Sequence, residues 1–508
     1  MMFVIYYNDF SQLPCQLPDR FAVLQKNLIF TPSNFQFKAM SITGTKIHKF
    51  NIFYILLKAY QLLVFHLFYK KVAVIGKKNI PYGSPIIFTP NHQNALMDAL
   101  IVLDTSGLNV VFMARADIFK KKILNKILTF LKMLPVYRMR DGADELSKND
   151  DTFNICLDIL RDCKSVCLMP EGNHGDKRRL RPLVKGTFRI AFRAHEDFGE
   201  QHPVKIVPVG IDFEHYQNIR QDLLIIYGKP IEVSEYFEAY KENPAKAMNA
   251  IKDRLSEELK KIVIHIQNEE HYDMFQDLRE IYNSRMRNRA GITGNSVYKR
   301  FQADKQMISI LDMYADTDPE KISELSGKVK EYGAGLKTLN LRNWVIDKKG
   351  FSLLRIISQT ILLFFSLPVF FAGFISNILP YTIPLMAAKN VKDPQFVSSF
   401  KFGVALFSFL IYYAVVGIIV GIFTCPAWIP WAVLLGMLVS GYIALFYTFS
   451  VKKLHASIRF RLLRGRKDNR IFKLLNLHNE ICSQMNAITE QYMSKILTLP
   501  KENLEFLH

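Results

Sequence analysis

The run FTPNHQNALMDALIV at residues 88–102 decides how this chain is read. Phe88, Thr89 and Pro90 close a short β-branched, apolar run that starts at Pro85, and from Asn94 onward apolar residues recur at helical spacing. Strand, turn and helix therefore follow one another with almost no linker. His92 and Asp98 are six positions apart, about 240° around an α-helix, so they do not share a helical face. The reading that lets them meet places His92 on the turn and has Asp98 reach back from the first turns of the helix. Histidine takes a proton near neutral pH and a neighbouring carboxylate fixes its tautomer, so the pair is a candidate general base. Taken alone, H-x5-D also fits a surface histidine beside an unrelated helix acid.

Working outward, the same alternation continues on both sides. β-branched runs fall at 72–76, 85–90, 110–114, 134–138, 166–170 and 205–211, with helical periodicity in 94–104, 117–132, 150–162 and 186–196. This predicts an α/β domain over 72–233, a mixed sheet flanked by helices. Two further strand-end loops carry charge. VCLMPEGNHGDKRRLRPLVKGTFRIAF (166–192) places Glu171-Gly172 and the cations Lys177, Arg178, Arg179, Arg181 and Lys185 between a strand and a helix. LPVYRMRDG (134–142) ends a strand at Arg138 and Arg140. Loops at strand C-termini are where α/β domains hold ligands, and clustered guanidinium and ammonium groups match phosphate oxygens. The plainer alternative for either loop is ordinary surface charge.

With these loops in this order, residues 70–230 resemble the glycerolipid acyltransferase family, the enzymes that acylate glycerol-3-phosphate and 1-acylglycerol-3-phosphate. Asn91-His92 with Asp98 matches the histidine–aspartate block, Pro135 to Arg138 the arginine block, Pro170-Glu171-Gly172 the glutamate–glycine block, and Val207 to Gly210 the final proline block. Most members have four residues between the histidine and the aspartate, whereas five stand here, a form similar to the fungal-type glycerol-3-phosphate and dihydroxyacetone-phosphate acyltransferases. Lys132 stands where many members have glycine, and Asn173-His174-Gly175 replaces a small-basic-serine run. The resemblance implies that His92 and Asp98 are catalytic and that Arg138, Arg140, Glu171, Gly172, Lys185 and Asn94 bind substrate. It further implies an acyl-CoA or acyl carrier protein thioester as co-substrate, glycerol-3-phosphate or lysophosphatidate as acceptor, and no metal or other cofactor. A catalytically inactive membrane-anchored binding protein is the alternative from another class.

The remainder of the 508 residues is of two kinds. No Asp, Glu, Lys or Arg occurs from Ile356 to Ala388 or from Phe402 to Val451, and such stretches belong in a lipid bilayer. Basic residues flank both, at 348–355, 389–401 and 452–473, and basic loops stay cytoplasmic, so the expectation is two hairpins, 351–388 and 402–451, returning to one face. A basic cytoplasmic tail then runs over 452–508. This describes a multi-pass protein of the cytoplasmic (inner) membrane or its equivalent, with its active site on the cytosolic face. Residues 40–71 read as an interfacial membrane helix and 234–345 as a helical accessory region, starting one helix at Asp318-Pro319 and stopping it at Gly333-Ala334-Gly335. Residues 1–39 read as an upstream extension ahead of a more natural start at Met40. Lys+Arg 66 against Asp+Glu 46 leaves a formal charge of +20, which reads as attraction to anionic headgroups or phosphorylated substrates and not to nucleic acid. Six cysteines without a CxxC pair point to free thiols.

Overall fold

The computed structural model describes residues 47–137, 149–424 and 426–497, all within one compact unit. Arg138 and Arg140, the extension 1–39 and the end of the tail lie outside the described residues.

Among the described residues eight strands form one sheet: β1 (Lys71–Ile75), β2 (Ile86–Pro90), β3 (Val110–Arg115), β4 (Met133–Val136), β5 (Ser165–Cys167), β6 (Lys205–Phe213), β7 (Asp222–Tyr227) and the short β8 (Ile231–Glu232). Their order is β1-β7-β6-β2-β5-β3-β4, with β8 on β6. Strands β6, β2, β5, β3 and β4 pair in parallel, while β7 runs antiparallel to β6, so the sheet is mixed. Parallel pairing brings the C-terminal ends of β2, β5, β3 and β4 to one edge, where the charged loops emerge. β7 has no counterpart in the expected strands. Its signal, DLLIIY, is a continuous apolar run, which periodicity does not separate from a buried helix segment.

Alternate strand residues feed two cores. Ile86 and Phe88 of β2 face α1 (Ile52–Phe68) and α2 (Ala95–Ser106), whereas Ile87 faces the opposite side. Helix α3 (Lys122–Phe130) precedes β4; the link between them turns at Lys132, which is buried with φ 61°. That left-handed conformation explains why glycine suits this position, and the Lys132 ammonium is taken up over the Tyr54 ring at 4.7 Å. On the opposite side pack α4 (Asn149–Arg161), α5 (Gly186–Phe198) and α6 (Pro244–Ile262).

The accessory region continues as α7 (Tyr272–Arg289), α8 (Val297–Thr317) and α9 (Pro319–Thr338). Helix α9 starts at Pro319 but does not stop at Gly333-Ala334-Gly335. A Cβ on Gly335 would come within 2.7 Å of Leu474 Cδ1, so this glycine serves close helix packing. Leu474 belongs to α14 (Asn469–Leu497), whose Ile471, Ile481 and Met485 are fully buried. The expected basic tail is thus, over 469–497, a core helix of the accessory bundle. An ionic chain joins the bundle to the sheet: Asp212 of β6 accepts from Arg178 Nε at 3.1 Å and lies 3.4 Å from Arg279 of α7, which reaches Asp304 of α8 at 2.9 Å.

The apolar stretches form α10 (Leu353–Phe365), α11 (Leu367–Lys389), α12 (Val397–Phe423) and α13 (Ile429–Gly465). Among the described residues three of them, α11, α12 and α13, are long and apolar enough to cross a membrane; α10 has 13 residues, short of the ~20 a crossing takes. Residues 351–389 are therefore not two crossing helices. α10 and α11 follow one another along α13, with only Ser366 between them. Their start is tied to the body, where Phe351 N–H donates to Ser457 Oγ and Arg459 donates to the Leu339 carbonyl. Their far end is tied as well, through Asp393 and Ser398. Gly373 and Gly441 bring α11 and α13 together, and the Asn377 amide donates to the Met437 carbonyl and accepts from Tyr413 of α12.

Replacing Arg279 by Met should lower stability by about 3–5 kcal/mol, because Asp304 and Asp212 stay buried without their shared cation. Unfolding of the detergent-purified protein followed by tryptophan fluorescence checks this; a change below about 1 kcal/mol would mean that the chain of charges is dispensable.

Candidate active site

The site grows from the end of β2. Asn91 N–H donates to the Val209 carbonyl, and the Asn91 side chain both donates to the Ile211 carbonyl (3.1 Å) and accepts from Ile211 N–H (2.7 Å). This fastens the turn to β6. His92 follows on the turn, and Asp98 lies in the first turn of α2. Asp98 Oδ2 sits 2.9 Å from His92 Nδ1 and also accepts the backbone N–H groups of Gln93 (2.9 Å) and Asn94 (2.8 Å). Two backbone donors at a helix N-terminus favour the ionised carboxylate, which only accepts, so Nδ1 is the donor and Nε2 is left as the basic nitrogen. Asp98 is 0% exposed and the His92 side chain 13%.

Glu171, at the end of β5, is a brace rather than an open contact. Its Oε1 accepts from His92 N–H at 2.9 Å, and its Oε2 accepts from Arg181 N–H and Nε, both at 3.1 Å. Burial pushes its carboxyl above the usual range, against the pull of these donors. Gly172 has φ 68°, and a Cβ there would press Val184 at 3.0 Å, so glycine is needed for the backbone turn. The chain then returns under His92, whose carbonyl accepts from Gly175 N–H.

Of the five cations in this loop, three are engaged by protein. Arg178 is bound to Asp212 and the Phe213 carbonyl, Arg179 pairs with Glu269, and Arg181 with Glu171. The accessory region supplies much of this clamp: Tyr272 hydroxyl accepts from Arg178 N–H (2.7 Å), and His265 Nδ1 accepts from Leu180 N–H (3.0 Å). Burial, with Lys260 and Arg179 nearby, pushes His265 down to about 4, which keeps that nitrogen an acceptor. Lys177 lies over the Tyr272 ring at 5.1 Å, and Lys185 is exposed at the start of α5. Asn94 is fully buried; its side chain accepts from Ser398 at the start of α12 and donates to the Tyr216 carbonyl. Its amide thereby joins the turn to the start of α12 and to Tyr216.

Two residues near His92 were not singled out as site residues from the sequence. The His174 ring stands edge-on to His92 with centroids 5.5 Å apart, its Nε2 3.4 Å from Asp393, and burial next to His92 lowers its pKa. Arg115, ending β3 on the same edge, is close enough to depress His174 further and is paired with Asp117. The strand-end rule applied to Arg138 finds Arg115 equally well. His174 has no such signal, since its partner Asp393 is more than two hundred residues away. Among the described residues no group of three or more His, Cys, Asp or Glu side chains is placed to hold a metal ion.

Comparison with known proteins places this geometry in context. A family model described as acyltransferase matches residues 71–212. Glycerol-3-phosphate O-acyltransferase 1 of Saccharomyces cerevisiae is 22% identical over 236 residues, 45% of this chain and 30% of its own length. The chloroplastic 1-acyl-sn-glycerol-3-phosphate acyltransferase of Arabidopsis thaliana is 27% identical over 170 residues, 32% of this chain and 45% of its own. That of Borreliella burgdorferi is 27% identical over 125 residues, 24% of this chain and 47% of its own. The matched regions are thus less than half of each relative. The crystal structure of the 1-acyl-sn-glycerophosphate acyltransferase of Thermotoga maritima covers 40% of this chain and 78% of its own at 19% identity and a TM-score of 0.29, too low to carry an argument.

Two outcomes are expected. Nitrogen-15 NMR of neutral His92 should show the Nδ1-protonated tautomer, and Asp98→Asn should abolish that preference; an Nε2-protonated ring in the wild type would overturn the assignment. Because the unfolded chain binds a proton near pH 6.5 and folded His265 only near about 4, its share of stability is lost as pH falls through that window. His265→Gln should therefore show a shallower fall in unfolding midpoint between pH 6.5 and about 4 than the wild type.

Proposed function

We propose, from the premise that this chain belongs to the glycerolipid acyltransferase family through its domain at residues 71–212, that it transfers a fatty acyl group from an acyl thioester to glycerol-3-phosphate. The observation that carries the reading is His92 Nδ1 held 2.9 Å from the buried Asp98, with Nε2 free to take a proton. Nε2 removes the proton of an acceptor hydroxyl as its oxygen attacks the thioester carbonyl carbon. The tetrahedral intermediate collapses, the carbon–sulfur bond breaks, and the imidazolium returns the proton to the departing thiolate. The products are lysophosphatidate and a free thiol, with no covalent acyl-enzyme.

Acceptor and donor carry phosphate, and exposed Lys177 and Lys185 are described cations available to it, with Arg115, paired to Asp117, ending β3 nearby. Arg138 and Arg140 follow β4 in sequence and join them in this reading. Glycerol-3-phosphate as acceptor is supported by the five-residue His–Asp interval and by the yeast relative, aligned over 236 residues against 170 for the plant enzyme. The plant and Borreliella relatives favour the second reading, 1-acylglycerol-3-phosphate as acceptor and phosphatidate as product. In this reading the apolar helices anchor the domain at a bilayer with His92 at the headgroup plane on the cytosolic face.

The test is acyl transfer from labelled palmitoyl-CoA by the membrane-embedded protein, with both acceptors in parallel. His92→Ala should lower turnover by about 10²–10⁴-fold while membrane insertion persists. Turnover close to wild type in that variant would remove His92 from the chemistry.

A further inference from the structure

The apolar helices do more than anchor, because the space between α11 and α12 opens at the catalytic turn. A groove of about 900 Å³ is lined by Leu379 and Ile383 of α11 and by Phe400, Gly403 and Phe407 of α12. Its inner end is formed by Leu96 and Phe396. Leu96 is the second residue of α2, between His92 and Asp98, and the Phe396 ring stands 4.7 Å from His174, itself 5.5 Å from His92. The junction is fastened: Ser398 donates to Asn94, Ser399 lies 3.4 Å from the Asn94 carbonyl, and Phe402 is buried in the core under α2. Along the wall, Ser408 turns its hydroxyl to the Pro380 carbonyl, so hydrocarbon is what the groove presents.

Resting on the acyl-transfer reading above, we propose that this groove between α11 and α12 holds the fatty acyl chain of the thioester donor. The chain is bonded directly to the carbonyl carbon that His92 must serve, so its first methylenes necessarily leave the catalytic turn, and the apolar exit at Leu96 and Phe396 leads into the groove. The polar thioester carrier points the other way, toward Lys177 and Lys185. Length agrees: from Phe396 to Val415, both lining the groove, α12 rises roughly 28 Å, whereas one leaflet offers about 15 Å of hydrocarbon. The acyl-chain site then lies outside the α/β domain, and the segment 379–415 sets which donors are used.

Gly403 supplies the test. A Cβ there meets nothing within 4 Å, so a side chain at this position fills the groove without displacing a neighbour, roughly 10 Å from its inner end. Gly403→Phe is to be compared with wild type and Gly403→Ala, using octanoyl-CoA and palmitoyl-CoA with whichever acceptor the wild type turns over. Gly403→Phe should lower kcat/KM for palmitoyl-CoA roughly tenfold or more, the loss of about two buried methylene groups, with octanoyl-CoA within about twofold and a smaller effect of the same sign in Gly403→Ala. An unaltered chain-length profile overturns the proposal. So does a uniform loss with both donors at an unchanged unfolding midpoint, which makes the groove structural. A loss that follows the chain length of a lysolipid acceptor instead gives the groove to the acceptor. Wild-type protein that transfers neither donor to either acceptor brings down the acyl-transfer reading itself, a result separable from the others.

Discussion

Everything at the catalytic edge depends on one buried carboxylate. Asp98 has no exposed surface, and its Oδ2 collects three donors: the His92 ring and the backbone N–H groups of Gln93 and Asn94. An isolated buried carboxylate is costly, and the positive end of α2 together with those donors offsets the cost. The same bonds set the shape of the turn. The five intervening residues are therefore a property of how a strand from the sheet hands over to α2, and the imidazole orientation follows from it.

Around that turn the structure uses charge for assembly more than for display. Arg178, Arg179 and Arg181 read as an open basic loop but are consumed by Asp212, Glu269 and Glu171. The accessory bundle shares in this pairing, since Tyr272, His265 and Arg279 hold the loop against the sheet, beside an apolar core common to both. A loop braced on both sides stays fixed under His92, and the exposed cations Lys177 and Lys185 are presented from a rigid frame. Catalytic preorganisation of this kind needs the supporting shell as much as the reacting groups.

The apolar helices are joined to the same turn. Asn94 bonds Ser398, Asp393 faces His174, and Phe402 enters the core beneath α2. The start of α12 and the turn that carries His92 therefore pack as one unit. Small residues at 373 and 441 let α11 and α13 approach closely, and the shared amide of Asn377 bonds both α13 and α12.

Much of this was legible in the chain itself. Alternation of short apolar runs with helical periodicity determined the α/β class, the H-x5-D interval on a strand-to-helix turn determined which two side chains meet, and the uncharged runs at 356–388 and 402–451 determined which residues form the long apolar helices. These are local properties, because period, interval and hydropathy depend on residues within a few turns of one another. Tertiary structure alone decided the rest. It added β7 to the sheet, carried α9 through its glycines because Leu474 packs on Gly335, turned 469–497 into a core helix, and laid α10 and α11 along α13 where two crossings were expected. It also assigned Asn94 to Ser398 and His174 to Asp393, partners 304 and 219 positions away. Pairings at that separation depend on how whole elements pack, and no residue pattern along the chain encodes them one by one.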